Sequence, residues 1–125
     1  MEGDYVNNKK KNGLQNAPAE KRYKSFLNTV ADQETVWLLQ AENGYATFDL
    51  DDTIHLLVWP SQEFCEFLME DDEIPVAIEV HEFLELCKSL TYSIKFMVFP
   101  TEKDSFVVTV DQLCFDIEEH LAEVE

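Results

Sequence analysis

The sequence predicts an α+β fold: a mixed, mainly antiparallel sheet of about five strands with helices packed on it, in a single domain. Three observations carry that expectation. Apolar runs with strand character are short and separated by tight turns. Two of them end in an aromatic residue followed by proline, Val58-Trp59-Pro60 and Val98-Phe99-Pro100. Between them, apolar residues recur at three- and four-residue spacing, the period of a helix. The 125 residues leave room for one domain, and a content of 46% hydrophobic and 12% aromatic residues can fill its core without disulfide or metal.

Residues 1–16 (MEGDYVNNKKKNGLQN) are polar and lack apolar periodicity, so they read as a flexible basic tail ahead of a single domain at 17–125. Ala17-Pro18-Ala19-Glu20 opens a helix, with proline tolerated at its start, and Tyr23, Phe26, Leu27 and Val30 supply its buried face. TVWLLQ at 35–40 suits a central strand, and Glu42-Asn43-Gly44 a tight turn. A second strand follows at 45–50, an acidic turn at 51–53, and a third strand at 55–59 stopped by Pro60.

Ser61 is placed to cap a helix that buries Phe64, Phe67 and Leu68 and ends near Met69. The acidic loop 70–73 leads to an extended run at 76–80, then to a helix over 81–90 with Phe83, Leu84 and Cys87 inward. Strands at 92–99 and 106–110 precede a last helix, capped by Asp111, whose stripe is Leu113, Cys114, Ile117 and Leu121. The repeated aromatic-proline strand endings hint at a weak internal duplication.

Charge is unevenly spread. The net charge is −17, yet six of the nine basic residues fall within the first 24 positions against three acids. The remaining 101 residues hold three lysines and 23 acids, a net of −20. A body this acidic repels phosphate backbones, so direct nucleic-acid binding is excluded. A basic partner surface would instead be steered toward it, although excess acid also serves solubility. No apolar run reaches the roughly 18 residues of a membrane span, and no signal-peptide core is present, so a soluble, cytoplasmic protein is expected.

Cys65, Cys87 and Cys114 are odd in number and widely separated, which suits reduced thiols in a reducing compartment. His55, His81 and His120 are equally scattered, and no metal ligand set or cofactor motif is evident. The segment Phe48-Asp49-Leu50-Asp51-Asp52-Thr53-Ile54 resembles the first motif of the haloacid dehalogenase phosphatases. By that resemblance Asp49 would be the nucleophile and Asp51 the acid/base, both beside Mg²⁺. The rest of the chain departs from that pattern. Nine residues separate Thr101 from Asp111, too few for the helix, lysine and strand the doubly wound fold requires, and an acidic turn between antiparallel strands is the plainer reading.

A second likeness covers the body from about residue 19 to the end. Arg22-Tyr23 with Phe26 and Val30, Val36-Trp37, Gly44, Trp59-Pro60 with Phe64, Ile78 with Phe83, Phe99-Pro100, Val107-Val108 and Leu113 follow one another in the order of a bacterial family. In these marks the sequence resembles domain of unknown function family 2750. It departs at 69–75, where such proteins often carry Gly-Trp and this chain has MEDDEIP. The resemblance implies a small bacterial cytosolic domain, assigns no catalytic residue, and makes the 49–53 region a variable acidic turn.

Trp37, Tyr45, Trp59, Phe64 and Phe99 are candidates for a ligand or interaction pocket, with core filling as the alternative. The favoured reading is a non-catalytic interaction module that binds a basic protein partner. The alternatives are a Mg²⁺-dependent phosphatase-like hydrolase using Asp49 and Asp51, or a small-molecule binding module. No cofactor and no membrane partner is expected, and the oligomeric state stays open.

Overall fold

Prolines and turns divide the chain where the strands end. The computed structural model describes residue 13, residues 15–90 and residues 93–124. Most of the expected tail at 1–16 lies outside the described residues. Helix α1 (Ala19–Gln33) leads into β1 (Thr35–Ala41), β2 (Gly44–Tyr45), β3 (Thr47–Leu50) and β4 (Thr53–Val58). After them come α2 (Gln62–Glu66), β5 (Ile74–Glu79), α3 (Val80–Lys88), β6 (Ile94–Val98), β7 (Phe106–Thr109) and α4 (Val110–Val124).

The α+β class holds, with the strands distributed over two sheets. One has three strands in the order β2-β1-β5, the other four in the order β3-β4-β6-β7. All neighbouring pairs are antiparallel except β4 and β6, which run parallel. A parallel pair requires a crossover. Here the crossover contains α2, β5 and α3, and β5 leaves it to pair with β1. The two sheets join where Trp37 N donates to Trp59 O at 3.0 Å and Trp59 N donates to Trp37 O at 2.9 Å.

Two hairpins explain why the expected strand at 45–50 is broken. Ala41 faces Gly44 across a two-residue loop, and Gly44 takes a φ of 136° that L side chains rarely adopt. Leu50 faces Thr53 across Asp51 and Asp52, whose φ values of 53° and 63° mark a type I′ turn, the turn whose twist suits a hairpin. Between the hairpins, Ala46 N bonds back to Leu39 O, and the chain steps from the edge of one sheet to the edge of the other.

Helix starts differ from the sequence expectation in their chemistry. Ser61 makes no side-chain cap bond, and Thr109 Oγ1 rather than Asp111 accepts from Gln112 N at 3.2 Å. Both α3 and α4 follow their strands without a loop, so the last strand residue does the capping. Glu79 accepts from His81 N at 2.6 Å and Glu82 N at 3.0 Å.

The core lies between the helices and one face of each sheet: Phe26, Val36, Leu38, Trp59, Phe83, Phe96 and Leu113 are all withdrawn from water. Among the described residues, the guanidinium of Arg22 is buried with them. Arg22, 1% exposed, donates from Nε to Phe99 O at 3.0 Å and from Nη1 to Ala17 O at 2.6 Å. Its Nη2 donates to Asp104 O at 3.0 Å and to Asp104 Oδ1 at 2.6 Å. Beside it, Tyr23 stacks on Phe106 at 4.2 Å and donates a short hydrogen bond to Asp116, tying α1 to β7 and α4. Burial and that carboxylate both drive the Tyr23 hydroxyl pKa upward, desolvation most strongly.

Arg22→Ala is expected to cost about 3–5 kcal/mol, because Asp104 and two carbonyls lose their partner. Arg22→Lys should recover less than half, since an ammonium cannot reproduce the planar fork. Urea unfolding of the three proteins checks both. A second expectation concerns pH. The Glu79 carboxyl is held below the usual glutamate range, chiefly by the His81 side chain and next by the Glu82 N–H. A lowered folded-state pKa stabilises above the unfolded value, and that contribution is lost as pH falls through the folded one. The urea midpoint of the wild type should therefore drop more steeply than that of Glu79→Gln between about pH 5 and about pH 3.

Candidate functional site

The alternation of β3 decides where its side chains go. Phe48 and Leu50 share one face and Asp49 takes the other. Phe48 is 53% exposed and Leu50 42%, large apolar groups left in water on a strand at the sheet edge. They line a groove of about 570 Å³ together with Leu39, Leu57 and Met97. Leu39 and Met97 are buried, so they form its floor. One wall comes from the segment between α2 and β5, through Leu68, Glu70 and Glu73. The opposite wall is the β6–β7 loop, with Pro100, Glu102, Lys103 and Asp104. Four carboxylates and one ammonium thus surround an apolar floor.

The Arg22 fork holds the second wall in place. Phe99 has a φ of 51°, a left-handed conformation that is strained for an aromatic residue preceding proline. Its N–H donates to Val58 O at 2.8 Å and its carbonyl accepts from Arg22. Downstream, Trp59 Nε1 donates to Pro100 O at 3.2 Å and Thr101 N donates to Asp104 O at 2.9 Å. Asp104, 53% exposed at its side chain, gives one carboxylate oxygen to Arg22. On the hairpin side, His55 is buried against Phe48 O at 3.3 Å and Thr53 O at 3.0 Å. Facing two carbonyl oxygens, its Nδ1 carries the hydrogen.

The five aromatic candidates do not gather around this groove. Trp59, Phe64 and Phe99 are core residues, with the Phe64 and Phe99 rings 4.6 Å apart. Trp37 is half-buried at the junction of the sheets, and Tyr45 borders a smaller depression beside Ile54 and Leu90. Aromatic side chains are as useful for filling a core as for lining a pocket, and Trp59 and Phe99, each directly before a proline, are turned inward here. Asp49 lies exposed on β3 opposite Ile54, and Asp51 sits in the type I′ turn. Neither is among the residues lining the groove that holds Thr101 and Lys103. Among the described residues, no three His, Cys, Asp or Glu side chains gather as a metal ion would require.

Phe48, Leu50, Leu57 and Met97, which line the groove, were not singled out from the sequence. The available signal was the polar-apolar alternation of Thr47 to Leu50, which set two large apolar residues on one face of an edge strand. The structure separates the two groups by burial. Phe99→Ala should destabilise by about 3–5 kcal/mol, the cost of emptying a core aromatic site. Phe48→Ala should stay within about 0.5 kcal/mol, as expected for a side chain that packs little. Thermal or urea unfolding of both variants reads the difference.

A family model described as Protein of unknown function (DUF2750) matches residues 23–117, from the helix that carries the arginine to the last helix. No curated protein matches the sequence. The matched span contains both sheets, the hairpin at 51–52 and every residue that lines the groove. It also agrees with the likeness carried by Trp37, Trp59-Pro60 and Phe99-Pro100, and the chain belongs to the DUF2750 family.

Proposed function

We propose that this protein is a non-catalytic interaction module that binds a basic partner segment through the groove on its four-stranded sheet. The observation that carries the reading is a groove whose buried floor, Leu39 and Met97, adjoins half-buried Leu57 and exposed Phe48 and Leu50, with Glu70, Glu73, Glu102 and Asp104 in its lining. Apolar patches rimmed by polar groups are where proteins associate. The rim sets the sign of the partner: lysines and arginines flanking a leucine or an aromatic anchor would fit. The net charge of −17 supports the same choice, since it speeds encounter with cationic surfaces and opposes nucleic acid. No helix among the described residues is long and apolar enough to cross a membrane. Three free cysteines fit a reducing, cytoplasmic setting.

The geometry weighs against the phosphoryl-transfer alternative. A nucleophilic aspartate and its acid/base partner must converge on one phosphate. Asp49 and Asp51 instead occupy a strand edge and a hairpin turn, both open to water.

The test uses a fluorescein-labelled peptide of alternating lysine, arginine, leucine and phenylalanine, read by anisotropy against the full chain. Binding should weaken as salt rises and the Debye length falls from about 10 Å at 0.1 M to about 3 Å at 1 M. Glu70→Lys with Glu73→Lys should weaken it about tenfold or more, and Phe48→Ser with Leu50→Ser by a similar factor. Affinity that both double variants leave unchanged would overturn the proposal, as would the absence of binding at low salt.

A further inference from the structure

The chain carries its own basic segment, and the Arg22 fork decides where that segment is attached. Residues 1–12 lie outside the described residues, and in sequence they hold Tyr5 and Val6 followed by Lys9, Lys10 and Lys11. No acid falls between Asp4 and Glu20, so positions 5–19 carry a net charge of +3 against −20 for residues 25–125. Two apolar side chains next to three ammonium groups match a groove whose lining joins apolar residues to four carboxylates and one lysine, Lys103.

Reach is set by the point where the chain enters the fold. Arg22 Nη1 donates to Ala17 O at 2.6 Å, and Nη2 of the same guanidinium donates to Asp104 Oδ1 at 2.6 Å. The two nitrogens sit side by side in a rigid fork, so Ala17 O and the Asp104 carboxylate are at most about 8 Å apart. Asp104 lines the groove, and the chain therefore enters beside the wall made by the β6–β7 loop. Lys11 precedes Ala17 by six residues, which span up to about 20 Å when extended, and Tyr5 precedes it by twelve, up to about 40 Å. Both spans are long enough to enter the groove from that wall. Asp104 already gives an oxygen to Arg22, which leaves Glu70, Glu73 and Glu102 to receive the lysines.

We infer that residues 5–11 occupy the groove of their own chain when no partner is bound, with Lys9, Lys10 and Lys11 at its carboxylates and Tyr5 and Val6 against its apolar lining. The inference rests on the reading of the groove as a site for basic segments, and it adds the competitor that a partner must displace. Exposed lysine–carboxylate pairs are individually weak, so attachment to the same chain carries the occupancy. A short tether presents its segment at a millimolar effective concentration. A segment with an intrinsic Kd of about 0.1 mM would then fill the groove in about nine molecules of ten and weaken a partner's apparent affinity about tenfold.

The test compares amide NMR spectra of the full-length wild type and of a Lys9→Ser, Lys10→Ser, Lys11→Ser variant, whose substitutions fall outside the described fold. At low salt the signals of Leu50, Glu70, Glu73 and Glu102 should differ between the two, and about 1 M salt should move the wild-type signals onto those of the variant. Lys21→Ser with Lys24→Ser, which removes two exposed charges from α1, should leave these signals in place. The labelled lysine, arginine, leucine and phenylalanine peptide should bind the triple variant about tenfold more tightly than the wild type, and the double variant less than about twofold more tightly. Groove signals that coincide in wild type and triple variant at low salt would overturn the inference. So would shifts that grow with protein concentration, the mark of a segment reaching a second copy. The peptide arm tells the two readings apart. Equal peptide affinity for wild type and triple variant sinks the internal occupant alone, whereas displaced groove signals with no peptide binding to either protein sink the partner reading alone.

Discussion

An arginine withdrawn from water costs several kcal/mol unless its N–H groups find acceptors, and that requirement organises this protein. Arg22 makes four hydrogen bonds to acceptors at residues 17, 99 and 104. Two of those residues lie more than 75 positions away, so the fork can be satisfied only when α1 and the β6–β7 loop are both docked. The arginine therefore acts as a check on assembly: a partly docked state leaves a buried charge unpaired, at a cost that apolar contacts alone would not impose. Tyr23, the next residue, repeats the connection through Phe106 and Asp116.

The same constraint reaches the groove. Phe99 accepts a left-handed backbone because its N–H and carbonyl are claimed by Val58 and Arg22 from opposite sides. That conformation turns the chain sharply out of β6, so residues 100–105 rise as a wall instead of continuing the strand. On the other side, Asp51 and Asp52 do for β3 what Phe99 does for β6. Their positive φ values reverse the chain in two residues and lay Phe48 and Leu50 beside Leu57. Strained or left-handed positions thus flank the apolar floor on both sides.

Much of this architecture is legible in the sequence because proline and turn residues punctuate it strongly. Pro60 and Pro100 close β4 and the β6 run where expected, and the 3.6-residue stripes of α1, α3 and α4 bury the anticipated residues except Cys114, which is half-buried. The division into two sheets is not legible. It depends on β5 leaving the crossover to pair with β1, and a short apolar run does not state its partner. The helix caps went astray for a related reason: serine and aspartate have strong local cap preferences, yet Glu79 and Thr109 hold the strand ends from which the helices start. The aromatic candidates do not line the groove, because ring size marks burial and binding alike. Arg22 was visible only as part of a family likeness; nothing in its neighbours, Lys21 and Lys24, announces that one of these cations is buried.

The acidic excess can be read as solubility or as recognition, and the fold lets the two be separated by place. Solubility needs charge only somewhere on the surface. An exposed edge strand needs it nearby, because unpaired N–H and C=O groups beside Phe48 and Leu50 invite another strand to add. Asp49, Asp51 and Asp52 on the β3–β4 hairpin meet that need: they stand on or next to the edge without lining the groove. Glu70, Glu73 and Glu102 meet a different one. They belong to two segments that line the apolar groove, where a carboxylate does little to block strand addition and sets the charge of the groove's border. Charge on the hairpin guards the edge, and charge on the rim borders the apolar groove.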